Sequence, residues 1–233
     1  MINTYRWRMK NFVNDNEFFF RLLAKKTTKR EKTFIDQNTD IVIEGYPRSA
    51  NTFCVASFQY MQNKSISVAS HRHELGQVLC ALKMDLPVII LIREPKQAVS
   101  SFVIRENISI KYALHYYIKY YNKILANLNY FVIGDFHDII KNIDIVIERI
   151  NIKYKTDFNY FPLKKWDILN IKSIIIDMEK KDSGGNKVRK THIAYPDKSR
   201  DASKQLIISV IENKYNTLLL EAEEIYNEII SQK

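Results

Sequence analysis

Strands alternating with helices predict an α/β chain, a three-layer α/β/α arrangement with a mainly parallel sheet. Two patterns carry that prediction. Residues 87–92 (P-V-I-I-L-I) form an unbroken apolar run, as in a strand covered on both faces. Ile110, Leu114, Tyr117, Tyr121, Ile124 and Leu128 step by four, three, four, three and four, which is one face of a long helix. The 233 residues suffice for one domain with a substantial core.

The elements follow in chain order. Residues 1–39 mix basic, aromatic and polar stretches and read as an N-terminal extension packing on the domain, with Phe18, Phe19 and Phe20 as its anchor. Residues 40–44 (D-I-V-I-E) read as a first strand that stops at the turn Gly45-Tyr46-Pro47. A helix is expected over 52–61, a strand over 65–70, a helix over 74–84 and the buried strand over 87–92. Pro95 suits the first turn of the next helix, where its missing N–H is not needed. After the long helix, residues 130–133 read as a strand and 139–152 as a helix. Residues 182–200, polar and basic around Gly184-Gly185, read as a lid loop. A second apolar stripe, Ile207 to Ile229, places a C-terminal helix in 201–233.

Composition narrows the classes. At 46% hydrophobic and 12% aromatic the chain is not a disordered one. Five glycines exclude glycine-rich repeats and linkers. Cys54 and Cys80 make neither a disulfide framework nor a cysteine-rich zinc site, which fits a reducing, cytoplasmic setting, and no metal is expected. Neither a signal peptide nor a membrane-length apolar stretch is read. A net charge of +10 calls for an anionic partner. Nucleic acid, a membrane surface and a phosphorylated small molecule all meet that demand, and charge alone does not choose between them; no nucleic-acid-binding module motif is recognisable.

The chemistry is concentrated in two segments. Gly45-Tyr46-Pro47-Arg48-Ser49-Ala50-Asn51-Thr52 joins a strand to a helix in the frame of a phosphate-binding loop, G-x-x-x-x-G-K-[ST], with Ala50 and Asn51 at its Gly and Lys. Backbone N–H groups and the helix N-terminus still converge there on an anion. The second segment, Arg93-Glu94-Pro95-Lys96-Gln97-Ala98-Val99-Ser100-Ser101, puts an Arg at a strand end and a Ser two turns into the next helix. A nucleotide hydrolase would place a Mg²⁺-binding carboxylate where Arg93 stands. A kinase or NTPase is thus the weaker enzyme reading, and a nucleotide with phosphates at two separate positions the stronger one.

Y-P-R-S-A-N-T-F (46–53) resembles the 5′-phosphosulfate loop of the sulfotransferases, and R-E-P-K-Q-A-V-S-S (93–101) resembles their 3′-phosphate motif, in the same order and at similar spacing. The resemblance covers roughly residues 40 to 150 and looks most like small soluble bacterial members with a P-loop-related fold. It implies 3′-phosphoadenosine 5′-phosphosulfate (PAPS) as sulfuryl donor and adenosine 3′,5′-bisphosphate (PAP) as product. By that likeness Arg48 replaces the lysine on the bridging oxygen. Pro47, Ser49, Ala50, Asn51 and Thr52 form the 5′ loop, and Phe53 replaces the adenine-stacking tryptophan. Arg93 and Ser101 fall on the 3′-phosphate ligands. Arg189 and Lys190 would close the lid in place of a C-terminal motif that this chain lacks.

The resemblance also implies a histidine base after the second strand. His71 and His73 stand there, and His71, the nearer to the strand end, is the preferred base. A neutral imidazole would take the acceptor proton while Arg48 stabilises the leaving oxyanion. Arg105, His115, Tyr116 and Tyr120 are the candidates for the acceptor pocket. The expected acceptor is a hydroxyl or amine of a small molecule, such as a saxitoxin-type alkaloid, with a sugar or glycolipid as the other class.

Overall fold

The computed structural model describes residues 2–15, 20, 34–182 and 201–233. The lid residues from 183 on, with Arg189 and Lys190, lie outside the described residues, as do Phe18 and Phe19. The elements are α1 (Ile2–Asn14), β1 (Ile41–Gly45), α2 (Asn51–Met61), β2 (Val68–Ser70), α3 (Leu75–Lys83), β3 (Val88–Ile92), α4 (Pro95–Glu106), α5 (Ile110–Leu125), β4 (Val132–Asp135), α6 (Phe136–Lys141), α7 (Ile143–Tyr154), α8 (Lys165–Asp182), α9 (Asp201–Lys214) and α10 (Asn216–Ser231).

The sheet is four-stranded, parallel throughout, in the order β2-β1-β3-β4. Side-chain alternation divides the core. Val42, Val88, Ile90, Ile92 and Ile133 face a cluster built by α3, α4, α5, α9 and α10. Ile41, Ile43, Ile89, Leu91 and Val132 face Cys54, Val55 and Phe58 of α2 and the apolar faces of α6 and α7. The three-layer α/β/α prediction therefore holds. Helix α8 packs outside α2 through Ile171 and Ile175.

The order of strands positions the site. From β1 the chain moves out to β2 on one side and then returns past β1 to β3. Helices α2 and α4, which follow β1 and β3, cover opposite faces. The carboxyl ends of β1 and β3 thus flank a topological switch point, where open α/β sheets leave a crevice. Gly45 pairs with Leu91 across this point, and a Cβ on Gly45 would lie 2.3 Å from the Leu91 carbonyl oxygen. Only glycine fits there.

Several boundaries differ from the sequence expectation. The 139–152 helix is two, α6 and α7, broken at Asn142, whose φ of −140° is not helical. The strand expected over 130–133 is β4, shifted later. Leu128–Tyr130 forms a 3₁₀ turn before it, and the Asp135 carboxylate accepts from the His137 N–H to start α6 at once. The C-terminal stripe is shared by α9 and α10, divided at Tyr215, and both lay Ile211, Leu219, Ala222, Ile225 and Ile229 on one core. Helix α1 docks by polar contacts as well as apolar ones. Asn11 Nδ2 donates to the Tyr112 hydroxyl at 2.8 Å, and Trp7 meets Phe102 edge-on at 4.9 Å.

Candidate active site

The loop after β1 is held from below by tyrosines. Tyr46 is buried, its hydroxyl donating to the Ala113 carbonyl at 2.9 Å and its ring packed among Phe102, Tyr116, Tyr117 and Tyr121. Helix α5 returns the grip. Tyr121 and Tyr117 hydroxyls donate to the carbonyls of Leu91 (2.7 Å) and Arg93 (2.8 Å), so they satisfy the end of β3. The sequence stripe marks Tyr117 and Tyr121 as core. Their hydroxyls' work at the sheet edge carries no sequence signal, because it depends on which strand α5 crosses.

Within the loop, Arg48 and Ala50 adopt left-handed backbone, φ 70° and 71°. That wraps the chain tightly before the first turn of α2, whose N–H groups have no partner within the helix. Pro47 is buried under the loop. The two sequence segments meet here. Arg48 Nε donates to Ser101 Oγ at 2.9 Å, and Arg93 Nη1 donates to the Arg48 carbonyl at 3.1 Å. The Arg93 guanidinium carbon lies over the Phe136 ring, 4.0 Å from its centre. Phe136 is absent from the sequence candidates, since its place beside Arg93 follows from β4 pairing with β3.

Three loop side chains turn inward. Ser49 is buried with its hydroxyl 3.5 Å from that of Tyr121. Asn51 Nδ2 donates back to the Tyr46 carbonyl at 3.1 Å and so closes the loop. Phe53 packs partly buried between α2 and α8. Thr52 faces the other way, its hydroxyl 3.3 Å from His71 Nε2.

The histidine turn follows β2. His71 and His73 both hold positive φ, 63° and 57°. His71 Nδ1 lies 2.8 Å from Ser70 Oγ, and His73 Nδ1 lies 2.8 Å from the Gly45 carbonyl. A buried carboxylate, Glu44 at the end of β1, supports the turn. It accepts from the backbone N–H of Arg72 (2.8 Å) and of His73 (3.0 Å), and from Gln77 Nε2 (2.8 Å). An acid inside an otherwise apolar strand is the sequence signal that could have singled out Glu44.

Electrostatics keep the histidines neutral. Burial, with the Arg105 charge added, pushes His71 down to about 4. Burial also holds His73 well below its ordinary value, against the opposing pull of the Gly45 carbonyl. Burial raises Glu44 to about 7. Arg93 is pushed down to about 10 by burial, and among the described residues it makes no salt bridge. A half-buried cation that makes no salt bridge among the described residues, bonded to the Arg48 carbonyl and through Arg48 linked to Ser101, suits a ligand with separated anionic groups.

The four acceptor-pocket candidates are not brought together. Arg105, at the end of α4, pairs with Glu106 at 3.2 Å and its charge reaches both histidines. Tyr116 and Tyr120 lie in the core, whereas His115 is exposed on the opposite face of α5. Tyr116 donates its hydroxyl to the His73 carbonyl. Among the described residues no cluster of His, Cys, Asp and Glu could hold a metal ion, and no helix is long and apolar enough to cross a membrane.

No protein-family model matches the chain, and no curated protein matches it. Among solved structures it is similar to mouse sulfotransferase SULT7A1 complexed with PAP, at 11% identity and a TM-score of 0.41, over 84% of this chain and 91% of that one.

Proposed function

We propose that this chain is a sulfotransferase that uses PAPS to sulfate a hydroxyl or amine of a small molecule. The observation that carries the reading is the convergence of its two motif segments. Arg48 and Ser101, 53 positions apart, share a hydrogen bond at the switch point, and Arg93 joins them through the Arg48 carbonyl. Arg93 and Ser101 would hold the 3′-phosphate. The turn from Pro47 through Ala50, the first turn of α2 and Thr52 would hold the 5′ side. Ser49 and Asn51 support that turn by closing it from inside. Phe53 would border the adenine.

When bound, PAPS supplies a sulfuryl group that an acceptor atom takes by in-line displacement. The chain's own contribution is positioning and charge. The Arg48 guanidinium, fixed by Ser101, stands where negative charge develops on the departing oxygen. One histidine of the pair, neutral at pH 7, takes the acceptor proton. Arg105 borders the acceptor side. The reading needs no metal. A small alkaloid of the saxitoxin type is the first acceptor class to screen, with sugars and glycolipids as the second, and a soluble cytoplasmic enzyme is the expected setting.

Calorimetry separates this from the phosphate-loop alternative. Tight binding of PAP with none of Mg·ATP is expected. The reverse pattern would make the chain a nucleotide kinase or hydrolase. Turnover is then read by incubating labelled PAPS with the two acceptor classes.

A further inference from the structure

Resting on the sulfuryl-transfer reading, we infer that Glu44 and Tyr116 are positioning residues that clamp the backbone of His73 and present its Nε2 as the base, while His71 serves the donor loop. The two histidines have different surroundings. His71 has a hydroxyl at each ring nitrogen, Ser70 at Nδ1 and Thr52 at Nε2, and Thr52 opens the helix of the phosphate-binding loop. His73 has the Gly45 carbonyl at Nδ1. A carbonyl can only accept, so Nδ1 of His73 carries the proton and the lone pair of the neutral ring is on Nε2.

The clamp acts from both sides of the residue. Glu44 accepts the His73 N–H and its neighbour's, and Tyr116 donates to the His73 carbonyl. Both peptide groups of His73 are thereby fixed while its φ stays at 57°, a conformation a non-glycine residue keeps only when its neighbours impose it. Gly45 precedes the phosphate-binding turn, so the same strand end carries the acid that holds the histidine and the carbonyl that sets its tautomer. In the transfer, the proton on the acceptor oxygen or nitrogen passes to Nε2 of His73. The bond from that acceptor atom to sulfur forms as the bond from sulfur to the donor's phosphate oxygen breaks, and the phosphate oxygen keeps the electron pair.

The test uses the full chain labelled with ¹⁵N-histidine, without nucleotide, together with steady-state kinetics. The expected spectrum gives His73 the Nδ1–H tautomer. Tyr116→Phe removes one oxygen and Glu44→Gln replaces one acceptor by a donor; each should mix the tautomers and lower kcat roughly 10- to 100-fold with PAP affinity unchanged. His73→Ala should lose about 100-fold or more in kcat and recover part of it with added imidazole, whereas His71→Ala should mainly raise the KM for PAPS. An Nε2–H tautomer in the unaltered chain, or wild-type kcat in both Tyr116→Phe and Glu44→Gln, would overturn the clamp. Absence of PAP binding to the unaltered chain would instead overturn the transfer reading, and the tautomer would still decide the clamp.

Discussion

Arg48, Ala50, His71 and His73 are four of the seven non-glycine residues with positive φ among the described residues, and all four border the switch point. Left-handed backbone costs a residue with a Cβ about 1–2 kcal/mol, so strain is gathered where the chemistry is proposed. Ala50 stands where a phosphate-binding loop ordinarily has glycine. Ala50→Gly is expected to stabilise the fold by about 0.5–1 kcal/mol, the relief of strain being partly offset by a more flexible unfolded chain. Urea denaturation measures it, and a loss of stability would mean that the Ala50 methyl packs usefully. Gly45→Ala goes the other way. Its methyl meets backbone at β3 rather than a movable side chain, so a loss of roughly 3 kcal/mol or failure to fold is expected. Arg93→Ala removes a cation that has no carboxylate partner among the described residues. It should leave thermal stability within a few degrees and weaken PAP binding at least 10-fold by calorimetry; unchanged PAP affinity would remove Arg93 from the site.

At the scale of elements, what could be read in the sequence divides by the kind of contact involved. β1, β3, α2 and α5 announce themselves through apolar periodicity because each buries a continuous face. Helices α1 and α8 do not. α1 is anchored by Asn3, Asn11 and Trp7 to α4 and α5, and hydrogen bonds of that kind leave no period. The two motif segments were readable because loop chemistry is local, with its residues adjacent in sequence. Phe136 and the Tyr116 hydroxyl were not, since each acts across a gap that only strand order and helix crossing close; Glu44 shows in the sequence as an acid in an apolar strand, but its partners Arg72, His73 and Gln77 do not. Helix α5 therefore deserves an element-level test. Tyr121→Phe frees the Leu91 carbonyl at the end of β3 and the Tyr46 N–H in the loop. A loss of about 1–3 kcal/mol is expected in thermal or urea unfolding, because buried partners are left unpaired. A neutral result would mean that these groups find other partners.

For the whole molecule, the buried titrating groups set the pH response. Glu44, raised to about 7 from an ordinary 4.5, holds a proton in the folded state that the unfolded chain gives up, so its contribution falls as pH rises through that window. His71, lowered to about 4 from 6.5, and His73, held well below 6.5 by burial, do the opposite, and their contribution is lost as pH falls below 6.5. Between pH 4.5 and 6.5 the unfolded chain binds two of these protons and the folded chain one. Stability should thus rise with pH there by about 1.4 kcal/mol per unit and level off near 7. Denaturant titrations at several pH values measure the slope, and Glu44→Gln should steepen it. A flat profile from pH 4.5 to 7 would contradict the buried, neutral histidines.

The hydrogen bond from Arg48 to Ser101 has a thermodynamic consequence. One guanidinium answers to both ends of the crevice, so the two anionic groups of a ligand cannot contribute independently. A ligand carrying only one of them would meet an arginine still aligned for two. Adenosine 5′-phosphate and adenosine 3′-phosphate should each bind more weakly than an even division of the PAP binding free energy allows, and Ser101→Ala should abolish most of that cooperativity. The crevice would then discriminate by the span of its ligand as well as by its charge.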